Sequence, residues 1–334
     1  MNKLKAVVIG AGVMGQNHLR AYLEMSNVEL VGFVDPAADL ATVSHRFGVP
    51  GWRDLDAMLD AVQPDIATVA VPTALHSETA LYLMEHRVHV LIEKPIAQHD
   101  DEAIALIDAA DRANLVLAIG HIERHNPAIA ALKERIDAGV LGRLFEIRAD
   151  RVGPFPARIN DVGVILDLAT HDLDVMCYLA GGAPTRVFAE TQQHLHSSRE
   201  DMVTALVRFP TGVTGTLHVN WLSPAKTRRV RVTGEGGMIE VDYITQDLTF
   251  FENGDSETDG YGSLQLLRGV SEGRVIREKI LKREPLRLEL EDFVNAILTG
   301  KPPRVTGRDG LLAVRVARAL VESGERNTVV AFQP

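Results

Sequence analysis

Through the first 120 residues, short runs of aliphatic and β-branched residues alternate with stretches whose apolar positions recur every three or four residues. The runs are LKAVVI (4–9), VELVGFV (28–34), DIATVAV (65–71), VHVLIE (88–93) and LVLAIG (115–120). Between them the helical spacing predicts helices over 14–25, 37–47, 75–86 and 100–113. Strands this uniformly apolar are covered on both faces, so the pattern reads as a doubly wound parallel sheet, a Rossmann-type α/β domain. After about residue 126 the rhythm changes. A helix (127–138), a strand (143–151), the loop GPFPAR and a helix (164–179) lead into alternating runs: TRVFAETQQ, DMVTALVRF, GVTGTLHVNW, TRRVRVTG and GMIEVDY. Short turns bearing Gly, Pro or Thr join these runs, which predicts a C-terminal α+β domain with an open, mainly antiparallel sheet. Helical spacing returns over 286–298 and 309–322, and these helices are expected to pack back near the domain junction. The expected division is residues 1–122 and 123–334.

Composition narrows the functional classes. A chain of 334 residues exceeds what one core usually supports, and its 46% hydrophobic content is enough to fill two. One cysteine, Cys177, leaves no internal disulfide framework and fits a reducing, cytoplasmic compartment. The apolar run at the N-terminus is too short for a secretory segment and ends in glycines. No stretch approaches the roughly 18 uncharged apolar residues of a membrane span, so neither export nor a membrane partner is expected. A net charge of -10 gives no general attraction for nucleic acid. Any anionic ligand must therefore be small and held locally.

The chemistry begins at GAGVMG. Gly10, Gly12 and Gly15, with Val13 and Met14 between them, follow the first strand and open the first helix, and Asp35 ends the second strand twenty residues after Gly15. That context suits a dinucleotide: a tight turn, close backbone approach, pyrophosphate at the helix N-terminus, and a carboxylate on the ribose hydroxyls. Asp35 would repel a 2′-phosphate and Pro36 brings no compensating cation, so NAD is favoured over NADP. In open α/β sheets ligands bind beyond the carboxyl ends of the strands. Two such ends carry VPTALH (Val71, Pro72, Thr73, His76) and EKP (Glu93, Lys94, Pro95). Lys94, beside a proline with access to the cis form, is a hydrogen-bond donor for a substrate hydroxyl, although a Glu-Lys pair is also an ordinary solvated ion pair. In DLATHDLD, Asp167 and His171 stand at i and i+4 on one helix face, either as a proton-accepting imidazole with its carboxylate or as a plain helix pair.

Other signals carry less. HIERH (121–125) has its glutamate two residues after the first histidine instead of one, which puts Glu123 on roughly the opposite helix face, so no metal is expected. HLH (194–196) sits in a polar turn, and GEGG (234–237) reads as a hairpin between strands.

GAGVMG with Asp35, VPTALH, EKP, GHIERHNP and DLATHDLD, in this order and over nearly the whole chain, are similar to the Gfo/Idh/MocA oxidoreductases. The resemblance implies that Gly10, Gly12, Val13, Met14, Gly15, Asp35, Val71, Pro72, Thr73, His76, Glu93 and Lys94 bind NAD. It implies that Lys94, Asp167 and His171 are catalytic around the nicotinamide and that His121 borders the substrate. It further implies a sugar or nucleotide-sugar substrate and an open sheet buried face to face in homodimers or homotetramers. Within the family, RVGPFPARINDVGVILDLATHD, GHIERHNP and VNWLSPAKTRRVRVTGEGG most resemble a subgroup that oxidises C3 of UDP-N-acetylglucosamine and supplies a sugar aminotransferase. Arg151, Arg158, Lys226, Arg228 and Arg229, in or beside loops of the second domain, are candidates to hold its diphosphate, or else strand-edge and surface cations. A dehydrogenase of a free sugar or cyclitol, a redox-neutral NAD-dependent glycosidase and a non-catalytic NAD-binding regulator are the rival classes. Keeping Lys94, Asp167 and His171 together argues against the last.

Overall fold

The computed structural model describes residues 3–156, 162–196, 198–254 and 271–333. The chain divides into two compact units, Met1–His125 with Glu284–Arg315, and Asn126–Arg283 with Val316–Pro334. The expected division after residue 122 thus moves to His125, and residues 284–315 return to the first unit. The reason is burial, since the apolar face of a helix late in the chain completes the first unit's core, as shown below.

The first unit holds six strands: β1 (Leu4–Ile9), β2 (Val28–Val34), β3 (Gly51–Trp52), β4 (Ile66–Val69), β5 (His89–Glu93) and β6 (Leu117–Gly120). All pair in parallel, in the order β3-β2-β1-β4-β5-β6. The order reverses between β1 and β4, so the ligand crevice of such a sheet lies beyond their carboxyl ends. Along β1 the side chains alternate between two cores. Val7 joins Leu83, Leu106 and Ile119 on one face, and Val8 joins Leu19, Tyr22, Leu290 and Phe293 on the other. The helices are α1 (Val13–Leu23), α2 (Leu40–Phe47), α3 (Leu55–Val62), α4 (His76–Glu85) and α5 (Asp100–Ala113). Neither β3 nor α3 was expected from the pattern, although Asp54 caps α3 by accepting the Ala57 N–H at 2.8 Å.

In the second unit α6 (Pro127–Asp137) precedes β7 (Leu144–Val152), and α7 (Thr170–Ala180) precedes β8 (Arg186–Gln192), β9 (Met202–Arg208), β10 (Thr214–Asn220), β11 (Thr227–Gly234), β12 (Gly237–Asp242), β13 (Asp247–Gly254) and β14 (Ser271–Glu278). The later elements are α8 (Pro285–Thr299) in the first unit, α9 (Gly307–Arg326), which contributes to both, and β15 (Val330–Ala331). The nine-stranded order is β14-β13-β12-β11-β7-β10-β9-β8-β15. One central pair, β7 with β10, is parallel, and the other pairs are antiparallel. α7 packs closely on β10, because a Cβ at Gly215 would stand 3.3 Å from the Met176 sulfur. Phe145 on β7, Leu206 on β9 and Val275 on β14 are exposed large hydrophobics.

Candidate active site

The glycines of the first turn are needed for two different reasons. Gly10 has φ +94°, and a Cβ there would lie 2.5 Å from the Ala70 carbonyl oxygen. A Cβ on Gly15 would lie 1.8 Å from the Gly10 carbonyl oxygen. Close packing thus excludes side chains at both. Gly12, the residue before α1, is different: nothing stands within 4 Å of where its Cβ would be. The first turn of α1 has no acidic residue and no side-chain cap. Its unpaired N–H groups and positive dipole end therefore face an open approach, the arrangement that accepts a phosphate. Val13 and Met14, in the same turn, are 79% and 39% exposed, so their apolar side chains border that approach.

Asp35 ties the end of β2 to this turn. One carboxylate oxygen accepts the Ala11 N–H at 2.8 Å, and the other accepts those of Ala37 and Ala38 at 2.8 and 2.7 Å. Burial opposes its charge, but these three bonds and nearby Arg53 hold its pKa below the usual carboxylate range. Arg53 was not found from the sequence. It follows β3, and its Nη1 donates to the carbonyl oxygens of Asp35, Pro36 and Ala38 at 3.2, 3.0 and 2.8 Å. The loop therefore does carry a cation, one engaged with backbone carbonyls.

Beyond β4 and β5 the two expected loops are joined by His76, which is 1% exposed. Its Nδ1 lies 2.9 Å from the Pro95 carbonyl and its Nε2 3.0 Å from that of Val71. Burial outweighs the pull of these carbonyls and pushes the ring's pKa below its ordinary value. His76, expected as a cofactor contact, thus stands between the two loops, its one N–H donating to either carbonyl. Val71 and Thr73 are partly exposed and Pro72 is exposed beside it. The Lys94-Pro95 bond is cis, and Lys94 is half-buried. Glu93 makes two contacts. One oxygen lies 2.7 Å from His18 Nε2 and the other accepts the Lys94 N–H at 3.2 Å. His121, expected to border the substrate, is fully buried at the end of β6. In the same segment Arg124 pairs with Asp309 at 3.1 Å.

In the second unit the segment before α7 is a single π-type turn, Ile165–Ala169, in which the Thr170 N–H reaches back to the Ile165 carbonyl. Such turns recur at functional sites. Asp167 lies in this wide turn and His171 in the first turn of α7, both half-buried. The next residue, Asp172, was overlooked in the sequence. It accepts Arg151 Nε at 2.6 Å and Nη2 at 3.1 Å, and the two side chains are 1% and 2% exposed. Arg151 also stacks over the Tyr243 ring at 5.2 Å. Arg151 is therefore a charge-paired staple between β7 and α7 that also lines the cleft beside it. Arg229 likewise pairs with Asp242 at 3.3 Å and Glu240 at 3.9 Å. Arg158 lies outside the described residues. The second unit brings together Arg151, Asp167, Lys226 and Arg228, which line one cleft of about 200 Å³ with Gly153 and Trp221. Gly153 and the strand end are laced by Gly153 N–H to the Asn220 carbonyl and Ser223 N–H to the Gly153 carbonyl, both 3.2 Å. Behind the cleft, Phe155 meets Trp221 edge-on with centroids 5.8 Å apart, a packing that no sequence spacing signalled.

These features match known proteins along the whole chain. Residues 4–121 match the oxidoreductase family with an NAD-binding Rossmann fold, and residues 129–240 match the GFO/IDH/MocA C-terminal domain. The UDP-N-acetylglucosamine 3-dehydrogenase of Acidithiobacillus ferrooxidans is 33% identical, over 97% of this chain and 99% of that protein. Its solved structure has a TM-score of 0.85 at 30% identity, covering 98% of this chain and 99% of that one. The myo-inositol 2-dehydrogenase of Thermotoga maritima is 24% identical over 98% of each chain. The chain belongs to the GFO/IDH/MocA oxidoreductases, and its first unit is an NAD-binding Rossmann domain. Its relatives include dehydrogenases named for a nucleotide sugar, for myo-inositol and for a D-glucoside.

Proposed function

We propose that this enzyme oxidises a secondary hydroxyl on a sugar ring, C3 of UDP-N-acetylglucosamine, to the 3-keto nucleotide sugar, reducing NAD⁺ to NADH and releasing one proton. The observation that carries this reading is the cleft in which Asp167 stands with Lys226 and Arg228. A carboxylate suits sugar hydroxyls, and two cations suit a diphosphate on a protein whose net charge is -10. The 33% identical relative supports the same substrate.

NAD, when bound, supplies the hydride acceptor. The open approach at Gly12 and the N-terminus of α1 would hold its pyrophosphate, and Asp35 its ribose hydroxyls. His171 accepts the hydroxyl proton, the general-base role an imidazole can fill. Lys94 donates to the same oxygen and steadies its developing negative charge. Asp167 orients His171 or the neighbouring hydroxyl. The exposed apolar residues Phe145, Leu206 and Val275 support a homodimer or homotetramer built on the sheet. We place the enzyme in the cytoplasm, ahead of a sugar aminotransferase that consumes the ketone.

A thermal-shift panel with NAD present tests the substrate class, since binding raises stability by mass action. UDP-N-acetylglucosamine is expected to give the largest shift, and UDP alone a smaller one. A larger shift from myo-inositol or free N-acetylglucosamine, with none from UDP, would leave only the sugar dehydrogenase. Lys226→Ala should raise KM for the nucleotide sugar and leave KM for NAD unchanged.

A further inference from the structure

The first unit buries three titratable side chains that the proposed reaction does not use directly: His18 on α1, Glu93 at the end of β5, and Glu289 on α8. His18 is 0% exposed and Glu289 2%. His18 Nε2 is taken by Glu93 at 2.7 Å, while His18 Nδ1 and both oxygens of Glu289 are buried without a hydrogen-bond partner. They share a region, because α1 packs on α8 through the core of Leu19, Tyr22, Leu290 and Phe293, and Glu93 and Glu289 repel one another. One orphaned buried polar atom costs about 1–3 kcal/mol, so three in neighbouring side chains call for an explanation.

The chemistry supplies one. Burial, reinforced by repulsion from Glu93 and Asp292, drives the pKa of Glu289 well above the carboxylate range and so favours its protonated form. A protonated carboxyl is a donor. His18 Nδ1 is an acceptor whenever its Nε2–H is directed at Glu93. The other titratable groups on the elements around α8 are engaged elsewhere. Arg20 holds Glu24 and Glu284, Arg287 holds Glu24 and Glu291, and the Tyr22 hydroxyl meets Thr68 at 2.8 Å. In the turn after β6, Arg124 holds Asp309, Glu123 is also engaged, and burial with Arg304 and Arg124 pushes His125 down to about 3. On α8 itself Asp292 accepts the Arg304 N–H at 2.7 Å.

We propose that Glu289 is a positioning residue: as a neutral carboxyl it donates through one bridging water to His18 Nδ1, which fixes His18 as an Nε2–H donor to Glu93. Glu93 then stays anionic, accepts the Lys94 N–H at 3.2 Å and balances the Lys94 ammonium. The chain Glu289, His18, Glu93 thus sets where Lys94 stands. This rests on the reading of Lys94 as donor to the reacting oxygen.

Glu289→Met keeps the side-chain volume and removes the donor, whereas Glu289→Gln keeps a donor that cannot ionise. Steady-state rates with NAD and UDP-N-acetylglucosamine, together with Tm, are compared for the full-length variants. Glu289→Met should lower kcat about tenfold, keep both KM values within about twofold, and leave Tm equal or higher. Glu289→Gln should recover most of that loss in kcat. Normal turnover by Glu289→Met, or a loss in Glu289→Gln as deep as in Glu289→Met, overturns the proposal. Lys94→Ala, run in parallel, separates the two ideas. If it is inactive while Glu289→Met is normal, only the positioning role falls; if it turns over normally, the assignment of Lys94 falls and this inference with it.

Discussion

At Gly15 an added methyl would meet the Gly10 carbonyl oxygen at 1.8 Å, and at Gly12 it would meet nothing within 4 Å. Gly15→Ala should therefore lower Tm by several degrees or prevent folding. Gly12→Ala should change stability by less than about 1 kcal/mol yet weaken NAD binding, measured calorimetrically, by tenfold or more. Comparable NAD affinity in Gly12→Ala would contradict the phosphate role of that turn. Asp35 acts on cofactor choice through charge, since its pKa is held low by three backbone N–H bonds and it stays anionic near neutrality. NAD is expected to exceed NADP by well over tenfold in kcat/KM, and Asp35→Ser should narrow the gap. Lys94→Ala and His171→Ala should each lower kcat by roughly 100-fold or more while NAD affinity stays nearly constant. Unchanged turnover in either would remove that residue from the mechanism.

Between elements, the Arg151–Asp172 pair joins β7 to α7 and so holds the segment that carries Asp167 and His171. Both partners are essentially unexposed. Arg151→Met alone leaves a buried carboxylate without its cation and should cost about 3–5 kcal/mol, whereas Arg151→Met with Asp172→Leu should recover most of it. Denaturant titration checks both, and a double variant as unstable as the single would argue against the pair as the origin. The same elements indicate what the sequence conveyed. The β1, β2, β4 and β5 runs are continuous and apolar because both faces are covered, and Gly10 to Asp35 is a local geometric device, so both were legible. By contrast, β3 has two residues and leaves no periodicity to detect. α8 has ordinary amphipathic spacing, and nothing local says that its apolar face fills the first unit's core. Arg151 and Arg229 were counted as available cations because their carboxylates, Asp172 and Asp242, are brought to them only by tertiary packing or cross-strand register. The wide turn at Ile165–Ala169 likewise has the same i, i+4 polar spacing as a plain helix.

For the molecule as a whole, two buried groups bend stability with pH in opposite senses. His125 is pushed from 6.5 to about 3 in the folded chain by burial and two arginines. The unfolded chain binds the proton first, so its contribution is intact above about 6.5 and is lost as pH falls towards 3, by an amount on the order of 5 kcal/mol at the limit. Glu289 is raised, so the folded chain keeps a proton that the unfolded chain releases above 4.5, and its contribution declines as pH rises. His125→Gln should flatten the acid limb of a Tm-against-pH curve and Glu289→Met the alkaline limb; a His125→Gln curve as steep as wild type below pH 6.5 would contradict the first assignment. The central claim, that this chain is an NAD-dependent nucleotide-sugar dehydrogenase, is tested most directly by initial rates of NADH formation. UDP-N-acetylglucosamine, free N-acetylglucosamine and myo-inositol are compared, with the position of the product ketone identified. The expected result is a kcat/KM at least about 100-fold higher for the nucleotide sugar, a ketone at C3, and competitive inhibition by UDP that weakens with salt. Efficient turnover of the free sugar or the cyclitol, with no inhibition by UDP, would contradict it.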